Sequence, residues 1–305
     1  MRRWRTVRSL GLWSGAFVWV GALLLGTAAL LELWDAFPSD PTQWQIGMAN
    51  FALFLAMLAA YAVAGGVSYR LASAWTLTYS VDRNSLLIGW LGNSYVIPLD
   101  RVESVDVGAP GATPPWFGNR LFGYRSGLGH LRDGRPLHMF ATAPLKQALV
   151  IYTPDAAYAI SPRFRDEFMQ ELEQRRGLGV IQPLHEGIQR SRYLHYAFWL
   201  DRPVWVLLSL SVVLNVLLWG VLAWTYADLS STLLLRLDPT GGVVEPRYRL
   251  LIMPLVCLGL ILGNLLLGLR LYRRERGAAI LLQMASVLVH LVAFAALLML
   301  LLNMV

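Results

Sequence analysis

Five long apolar runs constrain this chain more than any other feature. They cover residues 11–33, 46–69, 203–226, 250–269 and 278–302. Each is about 20 residues or longer, enough to cross a ~30 Å hydrocarbon core as a helix. In hydrocarbon every backbone N–H and C=O needs an internal partner, which a helix supplies within one segment. Charge content agrees: 15% of the 305 residues are charged, against about 25% in soluble domains. The expected class is an α+β membrane protein with about five transmembrane helices, arranged two and three around a polar insert. The expected divisions are an N-terminal hairpin at 1–70, a polar domain at 71–180, a juxtamembrane connector at 181–202 and a three-helix bundle at 203–305.

The first run follows a basic start containing Arg2, Arg3, Arg5 and Arg8. It is too long for the apolar part of a signal peptide, and no small-residue cleavage site follows, so a retained helix is expected. Arginine placement predicts orientation. The loop after the first run carries Asp35 and Asp40 but no Lys or Arg, whereas the turn before the last run holds Arg270, Arg273, Arg274 and Arg276. With five crossings the N-terminus, the polar region and that turn share one side. The positive-inside rule makes that side the cytoplasm and leaves the C-terminus outside. Arg236, Arg247 and Arg249 on the other side are accompanied by Asp228, Asp238 and Glu245. Trp34, Trp44, Trp199, Trp205, Trp224 and Tyr226 stand at run ends, where amphipathic rings prefer the headgroup level.

The polar region reads as strands closed by one helix. Trp75, Leu77, Tyr79 and Val81 alternate with Thr76, Thr78 and Ser80, a period of two. Turn signals at 82–85 and 92–93 separate further strands at 86–90 and 95–99, and 102–107 is read as a fourth. A late hairpin is expected at 148–152 and 157–160 around Thr153-Pro154-Asp155. Ser161 is then read as an N-cap with Pro162 at the first helical position. Phe164, Phe168 and Leu172 make one apolar stripe, and Gly177 a stop.

Three stretches carry a resemblance. They are Leu77-Thr-Tyr-Ser-Val-Asp-Arg-Asn-Ser-Leu86, Val96-Ile-Pro-Leu-Asp-Arg-Val-Glu-Ser-Val105, and Ala148-Leu-Val-Ile-Tyr-Thr-Pro-Asp-Ala-Ala-Tyr-Ala-Ile-Ser-Pro162 running into Phe168 and Leu172. Together they resemble bacterial membrane proteins with a pleckstrin-homology-like (PH-like) domain. The resemblance implies a β-sandwich or barrel capped by a C-terminal helix and inserted after a helical hairpin. Its motifs are structural, so they imply fold rather than function. Eukaryotic-type PH domains grip inositol phosphates with several cations at the first strand turn. Here that turn, Asp82-Arg83-Asn84-Ser85, has one Arg beside one Asp, so that grip is not carried over.

No catalytic constellation stands out. The five histidines (130, 138, 185, 195 and 290) lack i,i+4 pairing, no nearby Glu or Asp completes a zinc-site pattern, and Cys257 is the only cysteine. Neither a metal site, a P-loop nor a nucleophile elbow is expected, and no cofactor. Two sets of residues are candidates for contact. Trp116, Phe117, Phe122 and Tyr124 interleave with Arg120 and Arg125, and Trp199 closes a stretch with Arg190, Arg192, Tyr193, His195 and Tyr196. Such mixtures dock on anionic membranes or partners, while the plainer reading is a Gly/Pro-rich loop packed over its own sandwich. Asn215, Asn264, Gln283 and His290 lie within apolar runs. There they act as interhelical hydrogen-bonding glue or mark function. Gly11/Gly15 and Gly259/Gly263 have small-xxx-small spacing.

The expected function is therefore non-catalytic. It is a membrane-anchored scaffold, accessory subunit or regulatory module whose partners are the bilayer, another membrane protein and anionic lipid headgroups, with no nucleic acid. The rivals are a small transporter or intramembrane enzyme using the last three helices, and anionic-lipid sensing by the PH-like domain.

Overall fold

The computed structural model describes residues 2–179, 181–182, 184–189, 197–238 and 241–302. Five helices are long and apolar enough to cross a membrane. They are α1 (Gly11–Ala36), α2 (Met48–Thr76), α4 (Arg202–Thr225), α5 (Ile252–Leu271) and α6 (Arg276–Leu302), with α3 (Arg165–Gly177) a shorter polar helix. The chain divides into two compact units, residues 1–24 with 60–194 and residues 25–59 with 195–305.

The first unit holds a sandwich of two five-stranded sheets. One sheet has β1 (Arg2–Arg5), β2 (Thr78–Val81), β3 (Ser85–Trp90), β4 (Asn93–Pro98) and β10 (Gly187–Gln189), paired in that order. The other comprises β5 (Ser104–Val107), β6 (Arg125–His130), β7 (Pro136–Ala141), β8 (Leu149–Tyr152) and β9 (Ala157–Ile160), in the order β5-β8-β9-β7-β6. Only the β7–β9 pair among these is parallel. Tyr79, Leu86, Ile88 and Ile97 of one sheet meet Leu149, Ile151, Tyr158 and Ile160 of the other in one apolar core. Phe168 and Leu172 of α3 close it, buried to within 1% exposure.

Several expectations are corrected. The basic start is not a free tail but β1, antiparallel to β2 with Trp4 opposite Tyr79. Trp4 is buried, its ring edge-on to Phe168 at 5.9 Å. The β1 strand precedes α1 and its partner follows α2, so the sandwich draws on both sides of the expected 70/71 boundary. It also extends past 180 through β10. Trp75 and Thr76 belong to α2 rather than a strand, because Leu71 and Ala74 keep the helical face buried to its end. Ser161 does not cap α3. Its Oγ accepts from the Thr142 N–H at 2.8 Å, and its carbonyl accepts from the Val7 N–H at 3.0 Å, which holds it extended. The helix starts at Arg165, and Phe164 is exposed rather than part of the stripe. Part of the expected Gly/Pro-rich loop, residues 125–130, forms β6.

In the second unit α4, α5 and α6 pack together, with Leu218, Leu222, Cys257, Ala293 and Leu297 among the buried apolar residues. The expected loop between α4 and α5 contains an antiparallel hairpin, β11 (Thr232–Asp238) and β12 (Gly241–Pro246). Asp201, just before α4, accepts from Arg276 at 2.7 and 2.9 Å and from the Tyr272 hydroxyl at 2.8 Å. These donors, Arg276 first, hold its carboxyl below the usual carboxylate range.

Candidate functional site

Residues 116–125 are fastened to the two helices of the first unit. The fastening begins with glycine. A Cβ at Gly11 would lie 2.5 Å from the Gly123 nitrogen, and one at Gly15 would lie 2.9 Å from Phe122 Cβ. The first small-xxx-small pair of α1 therefore receives a loop rather than another helix. Phe122 has φ 56, an unfavourable left-handed backbone for an aromatic residue. Its ring reaches the Gly15 gap beside Leu71. On α2, Arg70 Nη2 donates to the Tyr124 carbonyl at 3.1 Å. Tyr124 is buried, and burial raises its pKa well above the usual tyrosine range. By contrast Trp116 is 79% and Phe117 66% exposed. The Gly259/Gly263 pair on α5 has open space over both residues.

Beside this loop lies a cavity of about 620 Å³. Its walls come from residues 107–112, Pro114, Met139 and residues 144–146, and Arg120, Arg125 and Lys146 line it. Arg132 is not part of the lining but lies against Gly111, in the space a Cβ there would need. Among the described residues, no carboxylate lines the cavity. None of the ion pairs among the described residues uses Arg120, Arg125, Arg132 or Lys146. The Arg120 Nε is buried without a hydrogen-bond partner among the described residues. Burial and then the neighbouring Arg120 charge lower the pKa of Arg125.

A second polar cluster was not foreseen. The strand β10 pairs with β4 and brings Glu186 to the sandwich. There it accepts from the Tyr158 hydroxyl, and its other oxygen lies 3.2 Å from Arg101 Nη1. Tyr158 contacts Tyr95 at 3.0 Å between hydroxyls, and His138 stacks on Tyr158 at 5.3 Å and 11°. Burial lowers the His138 pKa, against the raising influence of Glu186. Only a lone carboxylate far along the chain could have hinted at this arrangement. No group of three or more His, Cys, Asp or Glu suited to a metal occurs among the described residues.

In the second unit the four polar residues of the apolar runs fall into one seam. Asn215 Nδ2 donates to the Pro254 carbonyl at 3.0 Å and lies 3.3 Å from His290 Nε2. His290 Nδ1 lies 2.6 Å from the Ser286 carbonyl. A proton on Nδ1 would let the ring donate to Ser286 and accept from Asn215. Asn264 donates to Ser286 Oγ at 2.9 Å and to the Leu282 carbonyl at 3.0 Å, and Gln283 donates to the Asn264 carbonyl at 3.0 Å. Replacing Asn264 with leucine is expected to cost about 1 kcal/mol, as membrane interhelical hydrogen bonds do. SDS-driven unfolding in mixed micelles reads this. A cost near zero would separate the seam from the stability of the bundle.

Trp199 belongs to this unit. It stacks edge-on against Phe198 at 5.2 Å, and its carbonyl accepts from Trp205 Nε1. Arg190, Arg192, Tyr193, His195 and Tyr196 lie outside the described residues.

Two sheets closed by one C-terminal helix define a PH-like sandwich. Residues 77–176 match the family described as bacterial PH domain, and this part of the chain is a bacterial PH-like domain. No curated protein and no solved structure matches the chain.

Proposed function

We propose that this chain is a non-catalytic contact module of the cell membrane, serving as a scaffold or accessory subunit of a membrane protein complex. The PH-like domain and the N-terminal strand lie on the cytoplasmic side, and the C-terminus lies outside. One observation carries the reading: the sandwich shares its β1 strand and its 116–125 loop with the helical hairpin, so the domain is fixed to its anchor. Such a domain presents a surface at a set distance from the bilayer. The β1–β2 pairing supports a common side for the N-terminus and the domain, and the arginines of 2–8 and 270–276 support the cytoplasm. The polar seam of α4, α5 and α6 spends its hydrogen bonds between helices, which supports glue over transport.

Crosslinking in native membranes, followed by purification of the full chain in mild detergent, tests this. A stoichiometric membrane-protein partner is expected. A strictly monomeric, partner-free chain would overturn the proposal.

A second reading is favoured by Trp116 and Phe117. They are exposed in the loop whose Phe122 and Gly123 pack on Gly11 and Gly15, and an exposed aromatic pair with nearby arginines docks on an anionic surface.

A further inference from the structure

We propose that the cavity lined by Arg120, Arg125 and Lys146 is a binding site for the phosphate group of an anionic ligand, carried by a lipid headgroup or by free phosphate. The inference deepens the membrane-docking reading and rests on it for the lipid source alone. It begins with an imbalance of charge. Arg2, Arg101, Arg135, Arg175, Arg249 and Arg276 each have a carboxylate partner within ion-pair distance. The cations around the cavity have none there. Two of them, Arg120 and Arg125, are half-buried, and Arg120 holds a buried Nε–H with no acceptor. Crowding like charges while leaving a guanidinium donor unmet is costly unless an anion enters.

A phosphate matches the vacant chemistry. Guanidinium groups bind its oxygens in pairs through their planar fork, and an ammonium adds a point charge. Lys146, the only lysine of the chain, stands exposed at the rim, where such a charge meets an incoming anion. The floor is apolar, with Ala109, Leu145 and the fully buried Met139. That floor suits the carbon part of a phosphate ester. The site lies on the 108–125 side of the sandwich and not at the Asp82–Ser85 turn, whose Arg83 stands beside Asp82. The 116–125 loop that supplies both arginines packs against the first turns of α1, so a ligand of the bilayer surface is within reach.

The test uses the full chain in neutral detergent and isothermal calorimetry. The probes are inorganic phosphate, short-chain phosphatidic acid and a single-stranded oligonucleotide. Saturable one-to-one binding of phosphatidic acid is expected. The double variant Arg120→Gln/Arg125→Gln should weaken it roughly tenfold to a hundredfold per guanidinium, and Arg83→Gln should leave it unchanged. Phosphatidic acid binding at least tenfold tighter than inorganic phosphate assigns a lipid source; equal affinities assign free phosphate. The pair Arg120→Lys/Arg125→Lys keeps the charge and loses the fork, so intermediate weakening is expected even if the glutamine variant misfolds. Unchanged affinity in every variant, equal loss in Arg83→Gln, or tighter binding of the oligonucleotide would overturn the site. A polarity-sensitive dye at Asn119→Cys in nanodiscs reads loop docking separately. Loss of docking with phosphate binding intact would fault only the docking reading.

Discussion

Replacing Trp4 with alanine is expected to destabilise the PH-like domain by about 3–5 kcal/mol, the range for deleting a buried aromatic side chain. Trp4 is 3% exposed and joins the core that Phe168 and Leu172 close. The Arg2 guanidinium lies 4.1 Å from its ring centroid on the outer side. Alanine would lose this stacking and the edge contact with Phe168, and β1 would keep its backbone bonds and the exposed Arg2–Glu167 ion pair. Phenylalanine is the informative contrast. The Trp4 Nε1 is buried with no partner, so Trp4→Phe removes an unmet donor along with some area. Its cost should stay under about 1.5 kcal/mol. Unfolding of the full chain in mild detergent, followed by near-ultraviolet circular dichroism, measures both. An excised domain starting at residue 77 is unsuitable, because it lacks the strand. Equal, small losses in the two variants would mean that β1 contributes little to the sandwich.

Tyr79→Phe is the second large effect. The Tyr79 hydroxyl, on β2, donates to the Phe140 carbonyl at 2.6 Å and accepts from the Ser161 N–H at 3.1 Å. It therefore clamps one sheet to the other from within the core. Phenylalanine fits the same space but leaves two buried backbone groups unmet, at about 1–3 kcal/mol each. A carbonyl has a second lone pair, so the total should fall in the lower half of that sum, about 2–4 kcal/mol. The same hydroxyl sets a dependence on pH. Burial, above all, raises the pKa values of Tyr79, Tyr124 and Tyr158 above the usual value of about 10. The folded chain then holds these protons more tightly than the unfolded chain. Stability should be fully present below about pH 10 and fall as pH rises beyond it. The Tyr79→Phe variant should fall less steeply. A parallel decline in both chains would show that Tyr79 ionisation is not coupled to unfolding.

The five helices were legible because the bilayer admits few solutions for runs of that length. Strand β2 was legible from its period-two alternation, and β3, β4, β5, β8 and β9 from apolar runs set off by turns. What stayed hidden had a local pattern that pointed elsewhere. Arginines at 2, 3, 5 and 8 mark membrane orientation, and one Trp among them is too little to announce a strand. The β6 segment, Arg125-Ser-Gly-Leu-Gly-His130, has two glycines and no alternation. Three residues of β10 are too few for any period. Ser161-Pro162 had the composition of a helix start, yet long-range bonds to Thr142 and Val7 claimed the serine first. In the candidate site, Arg120, Arg125 and the aromatics were visible as a mixed stretch. Its division into exposed Trp116 and Phe117 and buried Tyr124 depended on glycines more than a hundred positions away. Lys146 and Glu186 stand apart from the mixed aromatic and arginine stretch, with no local pattern of their own.

The pairing of β1 with β2 also orders events in time. Arg5 lies opposite Thr78, 73 positions later, so at roughly 5–20 residues per second the first strand waits about 4–15 s for its partner to be made. During that interval both helices of the hairpin leave the ribosome. Only if they insert so that their outer ends return to one side can the two strands meet. A hairpin with one helix left out strands β1 across the bilayer and leaves the sheet with an open edge. The closed sandwich thus requires that the start of the chain and the segment after α2 lie on one side of the membrane.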